Sequence, residues 1–494
     1  MLRAGLAVSR LVTPVTHSKG PSWVSGLPWL LAGVALASLA YWWLGSSSQP
    51  VVRREPGADQ APGSLGAGSQ TNVVLTGQLT RGSGQPADLP GVWPQFRGPN
   101  RDNICAEPLV LQRSWPAGGP RQLWVVPVGE GYAAPVVWNG RVYLMDYDEE
   151  RKQDALRCLS LADGQEIWRF AYPVSIKRNH GRSRTVPAVN GKYVVAMGPK
   201  CHVVCLDAVT GQLRWGLDLV RQFGATVPQW YAGQCPLIDG DRVILAPGGP
   251  EVLLMAVDLA TGKEVWRTPN FKPDWKMTHS SVMPMDWAGR RSYLYCGSLG
   301  VVAVSTQDGS VLWTNLLWRI SIATVPSPLV LPEGRVFLTG GYDAGSLMLQ
   351  VKAADGRLSV EPLFRLPPTV FGAIQHTPIY FDGHIYGVRS DGQFACLTVD
   401  GKIRWTSGAN NQFGLGAFLM AGGLIYALHD SGRLSLFEAT PSRFNLLAQA
   451  QVLQGREAWG PMALVGGRLL LRDYTRLVCL EVGAPQRALQ AQVP

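Results

Sequence analysis

Apolar strands separated by Gly turns repeat eight times along this chain, between Pro135 and Cys479. Each repeat reads as a short apolar strand, a Gly turn, two further strands and a second turn. Seven of the first strands open with Pro, which suits that position because it has no N–H to give to a β-ladder. The first turns supply the positive φ angles of tight hairpins, and they are Asn139-Gly140, Asn190-Gly191, Asp239-Gly240, Gly289, Gly334, Asp382-Gly383, Gly422-Gly423 and Gly466-Gly467.

A large aromatic residue follows the second turn of most repeats, four residues after its Gly. Trp168, Trp215, Trp266 and Trp313 lie 47, 51 and 47 residues apart, which is about the length of a four-stranded propeller blade. We expect these indoles to wedge between neighbouring sheets, where a Trp buries a large apolar area. The predicted structural tryptophans are Trp124, Trp168, Trp215, Trp266, Trp313 and Trp405. Repeat five has Phe364 instead, and repeat seven has no Trp between Thr440 and Leu447.

The last repeat stops at Gly483 without its Trp strand, and that strand occurs at the other end of the repeats, at residues 123–126. A ring that takes its final strand from the N-terminal side has no open edge. We therefore predict an all-β fold, an eight-bladed β-propeller over residues 92–484 closed by an N-terminal strand, with a tail at 485–494. A β-sandwich is the alternative, but it does not explain the displaced strand.

The N-terminal region has a different composition. Residues 27–44 are apolar and uncharged, and Arg3, Arg10 and Lys19 precede them with no acidic residue between, which predicts a transmembrane helix, a signal anchor, after a cytoplasmic segment at 1–26. A cleaved signal peptide is the alternative. Residues 45–91 are rich in Gly, Ser, Gln and Pro and predict a disordered linker. Either way, we expect a single-pass membrane protein or an exported one, with the propeller on the periplasmic or extracellular side.

Charge and cysteine content exclude some functions. The net charge of +10 is modest for 494 residues, and no basic stripe with interleaved aromatics points to nucleic acid. Cys158, Cys205, Cys396 and Cys479 occupy a repeated strand position that Ala takes elsewhere, so we expect small buried residues rather than disulfides. No metal site is expected, since Cys201 and Cys205 have no matching His pair. Cys105 and Cys296 have no place in this pattern.

The loops that enter the innermost strands meet at one mouth of a propeller channel, where ligands usually bind. Here these loops combine aromatic and basic side chains with few acids. A lone His or a basic loop is more often structural, so the ligand-binding role of this set is a hypothesis. The candidates are Tyr132, Arg182, Arg184, Trp230, Tyr231, Lys276, His279, Gln375, His376 and Trp459.

The run from Cys205 to Trp215, CLDAVTGQLRW, resembles the repeat of the pyrroloquinoline-quinone (PQQ)-like β-propeller superfamily, and the run from Val257 to Trp266 is similar. The opening at 93–102, WPQFRGPNRD, resembles the entry segment of membrane-attached bacterial members. The resemblance covers about residues 93–483. It implies either a quinoprotein dehydrogenase or a non-catalytic scaffold, because the superfamily contains both.

For a quinoprotein, the resemblance implies PQQ in the channel mouth, Ca²⁺ on carboxylate and amide oxygens, and a carboxylate base. Ca²⁺ takes six to eight oxygen ligands, and these loops contain few acids besides Asp274 and Glu457. We therefore expect no catalytic residues and no cofactor, with PQQ and Ca²⁺ only under that alternative.

The favoured function is a membrane-anchored, non-catalytic scaffold that binds a protein or another macromolecule. It is similar in this respect to the propeller lipoprotein of the outer-membrane β-barrel assembly machinery, although no lipid-attachment Cys is present. A quinoprotein dehydrogenase of alcohols or sugars and a carbohydrate- or peptide-binding surface protein remain the alternatives.

Overall fold

Eight antiparallel sheets form the repeats of this chain in the computed structural model, which describes residues 27–45, 72–272 and 274–484. Three short strands and the displaced strand come first along the chain, and they are β1 (Gln78–Arg81), β2 (Val92–Trp93), β3 (Ile104–Cys105) and β4 (Arg121–Pro127). We name the four strands of each blade a to d, from the channel outward. The sheet order confirms an all-β, eight-bladed propeller.

Blades 1 to 4 each contain four consecutive strands, and the blade 1 sheet also includes β2, beside β5, and β1, beside β8. Their bounds are β5 (Val136–Trp138), β6 (Arg141–Asp148), β7 (Gln153–Ser160) and β8 (Glu166–Pro173) in blade 1; β9 (Ala188–Val189), β10 (Tyr193–Met197), β11 (His202–Asp207) and β12 (Leu213–Asp218) in blade 2; β13 (Leu237–Asp239), β14 (Arg242–Leu245), β15 (Leu254–Asp258) and β16 (Glu264–Thr268) in blade 3; and β17 (Met283–Trp287), β18 (Arg290–Gly297), β19 (Gly300–Ser305) and β20 (Val311–Asn315) in blade 4.

Blades 5 to 7 follow the same order, and blade 8 has three strands of its own. Their bounds are β21 (Leu329–Leu331), β22 (Arg335–Gly340), β23 (Gly345–Ala354) and β24 (Arg357–Leu366) in blade 5; β25 (Ile379–Phe381), β26 (His384–Val388), β27 (Phe394–Thr398) and β28 (Ile403–Thr406) in blade 6; β29 (Phe418–Ala421), β30 (Leu424–Leu428), β31 (Arg433–Glu438) and β32 (Leu446–Gln451) in blade 7; and β33 (Ala463–Val465), β34 (Arg468–Arg472) and β35 (Arg476–Glu481) in blade 8.

Short helices lie between some of these strands. One α-helix, α2 (Leu219–Phe223), follows blade 2, and two 3₁₀ turns cover Val73–Thr76 and Pro332–Gly334. Asp218 caps α2 by accepting a hydrogen bond from the backbone N–H of Arg221. Gly224 ends it with a φ of 67°, a left-handed conformation that glycine adopts without strain.

The fourth strand of blade 8 is β4. It pairs antiparallel with β35 from Arg121 opposite Glu481 to Pro127 opposite Arg476. Arg121 also forms an ion pair with Glu481 at 2.9 Å. Segments from the two ends of the repeat region are therefore hydrogen-bonded side by side in one sheet.

At four blade junctions, the indole of strand d packs against the turn glycine of the next blade. A Cβ on Gly262 of blade 3 would come within 2.6 Å of the Trp215 ring of blade 2, and Gly164, Gly211 and Gly309 meet Trp124, Trp168 and Trp266 in the same way. Several of these indoles also donate to a backbone carbonyl of that blade, as Trp215 does to Leu259 at 2.9 Å. All six predicted structural tryptophans are buried.

The two irregular repeats follow from this contact. Phe364 of blade 5 meets Gly401 of blade 6, where a Cβ would lie 2.8 Å from its ring. Blade 7 precedes blade 8, whose third and fourth strands come from distant parts of the chain and so have no connecting turn. Blade 6 retains Trp405 although the corresponding turn of blade 7 has no glycine, and this indole donates to the carbonyl of Thr440 at 2.7 Å.

The expected linker at 45–91 is wrong for its last part, because residues 72–91 fold against blades 1 and 2. Strand β1 pairs with β8, from Gln78 opposite Ala171 to Arg81 opposite Trp168. Val74 is fully buried, and Asn72 donates to the carbonyl of Gly216 at 3.0 Å. Residues 72–91 have the composition of a linker, but backbone pairing and the buried Val74 hold them in a defined structure. Residues 46–71, together with the predicted segment at 1–26 and the tail at 485–494, lie outside the described residues.

A helix, α1 (Leu27–Gly45), covers the segment predicted to span the membrane at 27–44. In the described parts of the chain, no helix combines the length and the apolar character needed to cross a membrane. The predicted transmembrane helix is therefore not supported.

All eight cysteines are buried and free, and none forms a disulfide. Those at the repeated strand position are confirmed as small core residues. Cys105 lies on β3, which pairs in parallel with β29 of blade 7, and Cys296 lies on β18.

We expect Gly262→Ala to lower the stability of the propeller more than Gly289→Ala does. Both glycines have positive φ, 69° and 72°, so both substitutions incur backbone strain. Only Gly262 faces an indole, since nothing lies within 4 Å of a Cβ at Gly289. The difference in unfolding free energy should be about 1–3 kcal/mol, the usual range for overpacking, and urea unfolding of both variants measures it. Equal losses would show that the indole contact does not limit stability.

Candidate functional site

A central cavity of about 340 Å³ opens at the face where the loops from strand d of one blade lead into strand a of the next. Every blade contributes to its wall. The lining residues are Phe96, Arg97, Asn103, Tyr132, His180, Arg184, Val186, Trp230, Gly233, Cys235, His279, Ser281, Ala323, Val325, Tyr342, Ile374, Gln375, His376, Thr377, Leu415, Ala417, Phe418, Trp459 and Pro461.

The entry segment at 93–103 forms the floor of the cavity. Arg97 is buried, and its Nη1 and Nη2 donate to the carbonyls of Thr377 and Pro378 in blade 6 at 2.6 and 2.7 Å. Arg101 donates to Ile238 of blade 3, and the backbone N–H of Met420 in blade 7 donates to Asn103. One segment therefore crosses the channel and binds blades on opposite sides of it.

Aromatic rings stack on the wall formed by blades 8, 1 and 2. The rings of Tyr132 and Trp459 lie 5.0 Å apart and nearly parallel, and the guanidinium of Arg184 lies 5.0 Å from the centre of the Tyr132 ring. The Tyr132 hydroxyl donates to Glu457 at 2.5 Å, and the Trp459 indole donates to Asp430 at 3.0 Å. Both carboxylates thus serve to orient the aromatic wall.

Backbone carbonyls hold Arg184 in place. Its Nε donates to the carbonyl of Trp230, and its Nη2 donates to those of Asn179 and His180 at 3.0 and 2.7 Å. Its Nη1 makes no hydrogen bond to any residue that the structure describes. Burial lowers the pKa of Arg184 to about 10, so the side chain still carries its charge at neutral pH.

Two histidines on the wall are poor proton acceptors. Burial, followed by the positive charge of Arg184, lowers the pKa of His279 to about 4. Burial also lowers the pKa of His376, and its Nε2 is buried without a hydrogen-bond partner among the described residues. Both imidazoles are therefore neutral at pH 7.

The opposite wall is mainly apolar. Blades 5 to 7 contribute Val325, Tyr342, Ile374, Leu415 and Phe418, and blade 6 adds the polar residues Gln375, His376 and Thr377. In a ring of eight blades, blade 6 lies across the channel from blade 2, so Ile374 and Arg184 belong to facing walls. The cavity thus has one cationic, aromatic side and one side that is mainly apolar.

Several mouth residues adopt strained backbone conformations. The φ angles of His180, Trp230, Tyr342 and Glu457 are 50°, 66°, 56° and 55°, in the left-handed region that residues with a Cβ rarely adopt. Such strain concentrates at binding and catalytic sites, where the surrounding structure holds it. This observation supports a functional role for the mouth.

Seven of the ten candidate residues line the cavity: Tyr132, Arg184, Trp230, His279, Gln375, His376 and Trp459. Arg182 does not, because its guanidinium pairs with Glu130 and Glu149 at 3.2 and 2.6 Å and is buried. Tyr231 is also buried and donates to the carbonyl of Lys177 at 2.7 Å. Lys276 is partly buried on the same face, outside the lining. Ligand binding by the seven stays a prediction.

The candidate list omitted two groups of lining residues. The floor residues belong to the entry segment, whose position in the channel depends on contacts with residues about 280 positions away. The small wall residues Val186, Cys235 and Thr377 each stand directly before the Pro that opens strand a. The position before this Pro could have been predicted to line the cavity, because equivalent residues of the blades face the same central axis.

Among the residues that the structure describes, no Asp or Glu lines the cavity. Ca²⁺ needs several oxygen ligands, usually including carboxylates, and here the side-chain amides of Asn103 and Gln375 are the best oxygen donors. Within the described ranges, no group of three or more His, Cys, Asp or Glu side chains could hold a metal ion. The donor set does not fit the Ca²⁺ site that a quinoprotein requires.

We expect the stability of the protein to fall as the pH drops from 6.5 to 4, in part through His279. In this window the unfolded chain takes up a proton at this residue while the folded state does not, so the folded state loses at most about 1.4 kcal/mol per pH unit. His279→Gln should reduce this dependence, whereas Val325→Ala on the same cavity should retain it. Thermal unfolding between pH 4 and 7 tests both; an unchanged slope in His279→Gln would contradict the low pKa.

Comparisons with known proteins agree with this architecture. BamB from Moraxella catarrhalis is similar over 73% of this chain and 99% of its own, with 15% identity and a TM-score of 0.50. A europium-containing methanol dehydrogenase aligns over 79% of this chain and 89% of its own, with 13% identity and a TM-score of 0.54. Quinohemoprotein alcohol dehydrogenase ADHIIG from Pseudomonas putida HK5 aligns over 80% and 81%, with 13% identity and a TM-score of 0.53. At these identities the likeness shows the fold alone.

No curated protein matches the sequence. A family model described as outer membrane protein assembly factor BamB matches residues 151–407, just over half of the chain. Together with the structural neighbours, this match confirms the resemblance to the PQQ-like β-propeller superfamily. The chain belongs to the family of the outer membrane protein assembly factor BamB.

Proposed function

We propose that this protein is a binding scaffold that contributes to outer-membrane protein assembly, and that a partner protein docks at the mouth of its central cavity. The family description supports the process. The compartment is part of the proposal: we place the propeller outside the cytoplasm, as the sequence predicts.

The acid-free lining of the cavity is the observation that carries this proposal. Oxidation of an alcohol needs a group that accepts its proton, and such a base works best with a pKa near the operating pH. Among the described residues, no carboxylate lines the cavity. Of its three histidines, His279 has a pKa of about 4 and burial lowers the pKa of His376, which leaves His180 as the one remaining candidate base in the described lining. Glu457 and Asp430 lie behind the wall and accept hydrogen bonds from Tyr132 and Trp459. The side chains are arranged for binding.

The rim of the mouth also favours a macromolecular partner. The loop at 316–328 crosses this face from blade 4 to blade 5 and includes Ala323 and Val325 of the cavity wall. Leu316, Leu317 and Ile322 of the same loop are 53%, 58% and 52% exposed. Exposed apolar residues that continue into a cavity are typical of a protein-interaction site.

A quinoprotein dehydrogenase is the second candidate, and the structural neighbours favour it at the level of fold. The cavity occupies the position expected for a quinone, and Arg184 and Trp459 have suitable chemistry. The missing carboxylates count against it, since both the metal and the proton acceptor need them. We derive no reaction step for this chain.

Site-specific photo-crosslinking in native membranes tests the docking face. A photoreactive amino acid at Ile322 should crosslink to a protein of the outer-membrane assembly machinery. The same group at Lys402 is the matched control, because Lys402 is exposed in the turn between strands c and d, on the far side of blade 6.

Two results would contradict the proposal. Equal crosslinking from both positions would mean that the mouth is not the docking face. The second is turnover of alcohols or sugars by the purified full chain with added PQQ and Ca²⁺, measured as reduction of a dye, which would favour the dehydrogenase.

A further inference from the structure

We propose that the cavity binds an acidic, aromatic segment of the partner protein, in which a carboxylate side chain neighbours an aromatic ring. The carboxylate would pair with Arg184, and the ring would pack on the apolar wall of blades 5 to 7. This inference rests on the proposed function, because it specifies the partner of that same site.

The described lining of the cavity carries positive charge, which favours an anionic ligand. Arg97 and Arg184 line it, and neither forms an ion pair with a carboxylate in the described parts of the chain. Burying a cation without an anion nearby is costly. Backbone carbonyls offset part of that cost here, and a bound carboxylate would offset more.

Arg184 is positioned to receive such a group. Hydrogen bonds to three loop carbonyls fix its Nε and Nη2, and Tyr132 packs against the guanidinium plane. Its Nη1 retains two N–H donors at the cavity. Because the side chain is already ordered, little further conformational entropy is lost when it binds a ligand.

The wall formed by blades 5 to 7 determines which side chain of the ligand fits beside the carboxylate. Val325, Ile374 and Phe418 present an apolar surface across the channel from Arg184. A volume of about 340 Å³ accommodates an aromatic side chain together with the carboxylate of its neighbour. An aromatic ring gains most from such a surface, because it buries a large area at a low entropic cost.

A protein segment suits this site better than a free small anion, because the apolar surface does not end at the cavity. Ile322, which is 52% exposed, lies in the same loop as the lining residues Ala323 and Val325. Only a ligand longer than the cavity can cover both.

Short peptides test this chemistry directly. The full chain is titrated with four acetylated and amidated pentapeptides that differ only in their central pair, Glu-Phe, Gln-Phe, Lys-Phe or Glu-Ala, and binding is followed by calorimetry. We expect the Glu-Phe peptide to bind at least about tenfold more tightly than the other three, because a hydrogen bond to a charged group contributes more than a neutral one. Equal affinities for Glu-Phe and Gln-Phe would overturn the proposal.

Substitutions then assign the two halves of the ligand. Arg184→Gln should abolish the preference for Glu-Phe over Gln-Phe. Arg443→Gln should retain it, because Arg443 is exposed in the turn between strands c and d of blade 7, on the far face and outside the lining. Ile374→Ala should weaken both Phe peptides by the same factor and keep the preference for Glu. If Arg184→Gln unfolds, as circular dichroism would show, Arg184→Met, which also removes the charge, and Ile374→Ala carry the test. A preference that survives in every Arg184 variant would contradict the assignment.

The outcome also separates this inference from the proposed function. Crosslinking at Ile322 without any peptide preference would refute the inference and leave the docking function intact. If neither crosslinking at Ile322 nor a peptide preference is found, both this inference and the proposed docking function are refuted. Binding of 3-phenylpropionate but not of the Glu-Phe peptide would identify a small organic anion as the ligand, which also overturns this proposal.

Discussion

Contact between a strand-d indole and the turn glycine of the next blade is the constraint on which the rest of the propeller depends. The glycine has a positive φ and no Cβ, so the ring of Trp215 can lie flat on the backbone at Gly262. This contact recurs at four junctions, and Phe364 on Gly401 takes its place at a fifth, so it holds those neighbouring blades at a common spacing. Because that spacing is fixed by buried residues, the loops at the mouth can differ from one blade to the next without changing the ring.

The loop residues at the mouth of the cavity differ in chemistry from one blade to the next. Blades 8, 1 and 2 place stacked aromatics and an arginine on one side, while blades 5 to 7 place aliphatic groups and Phe418 on the other. Acids are present nearby, but Glu457 and Asp430 point their oxygens at the aromatic wall rather than into the cavity. Their hydrogen bonds fix ring orientation, which is a structural role that proximity alone would not reveal.

Short-range signals made most of the fold predictable from sequence. Gly turns and the Trp spacing determine blade number, because each depends on only a few neighbouring residues. The site was predictable only in part. Arg182 and Arg184 are two residues apart with the same chemistry, yet Arg182 pairs with Glu130 and Arg184 meets the cavity. Residues 72–91 are structured because β1 pairs with the edge strand β8 of blade 1, and amino-acid composition does not reveal such pairing.

The displaced strand has a consequence for biogenesis. Arg121 and Glu481, which pair in blade 8, are 360 residues apart in the chain. A chain that emerges from its N-terminal end therefore presents β4 long before β35 exists. Until then β4 is an unpaired edge, open to pairing with other chains. Contacts at such separation form slowly, so ring closure is the late step in which aggregation competes with maturation.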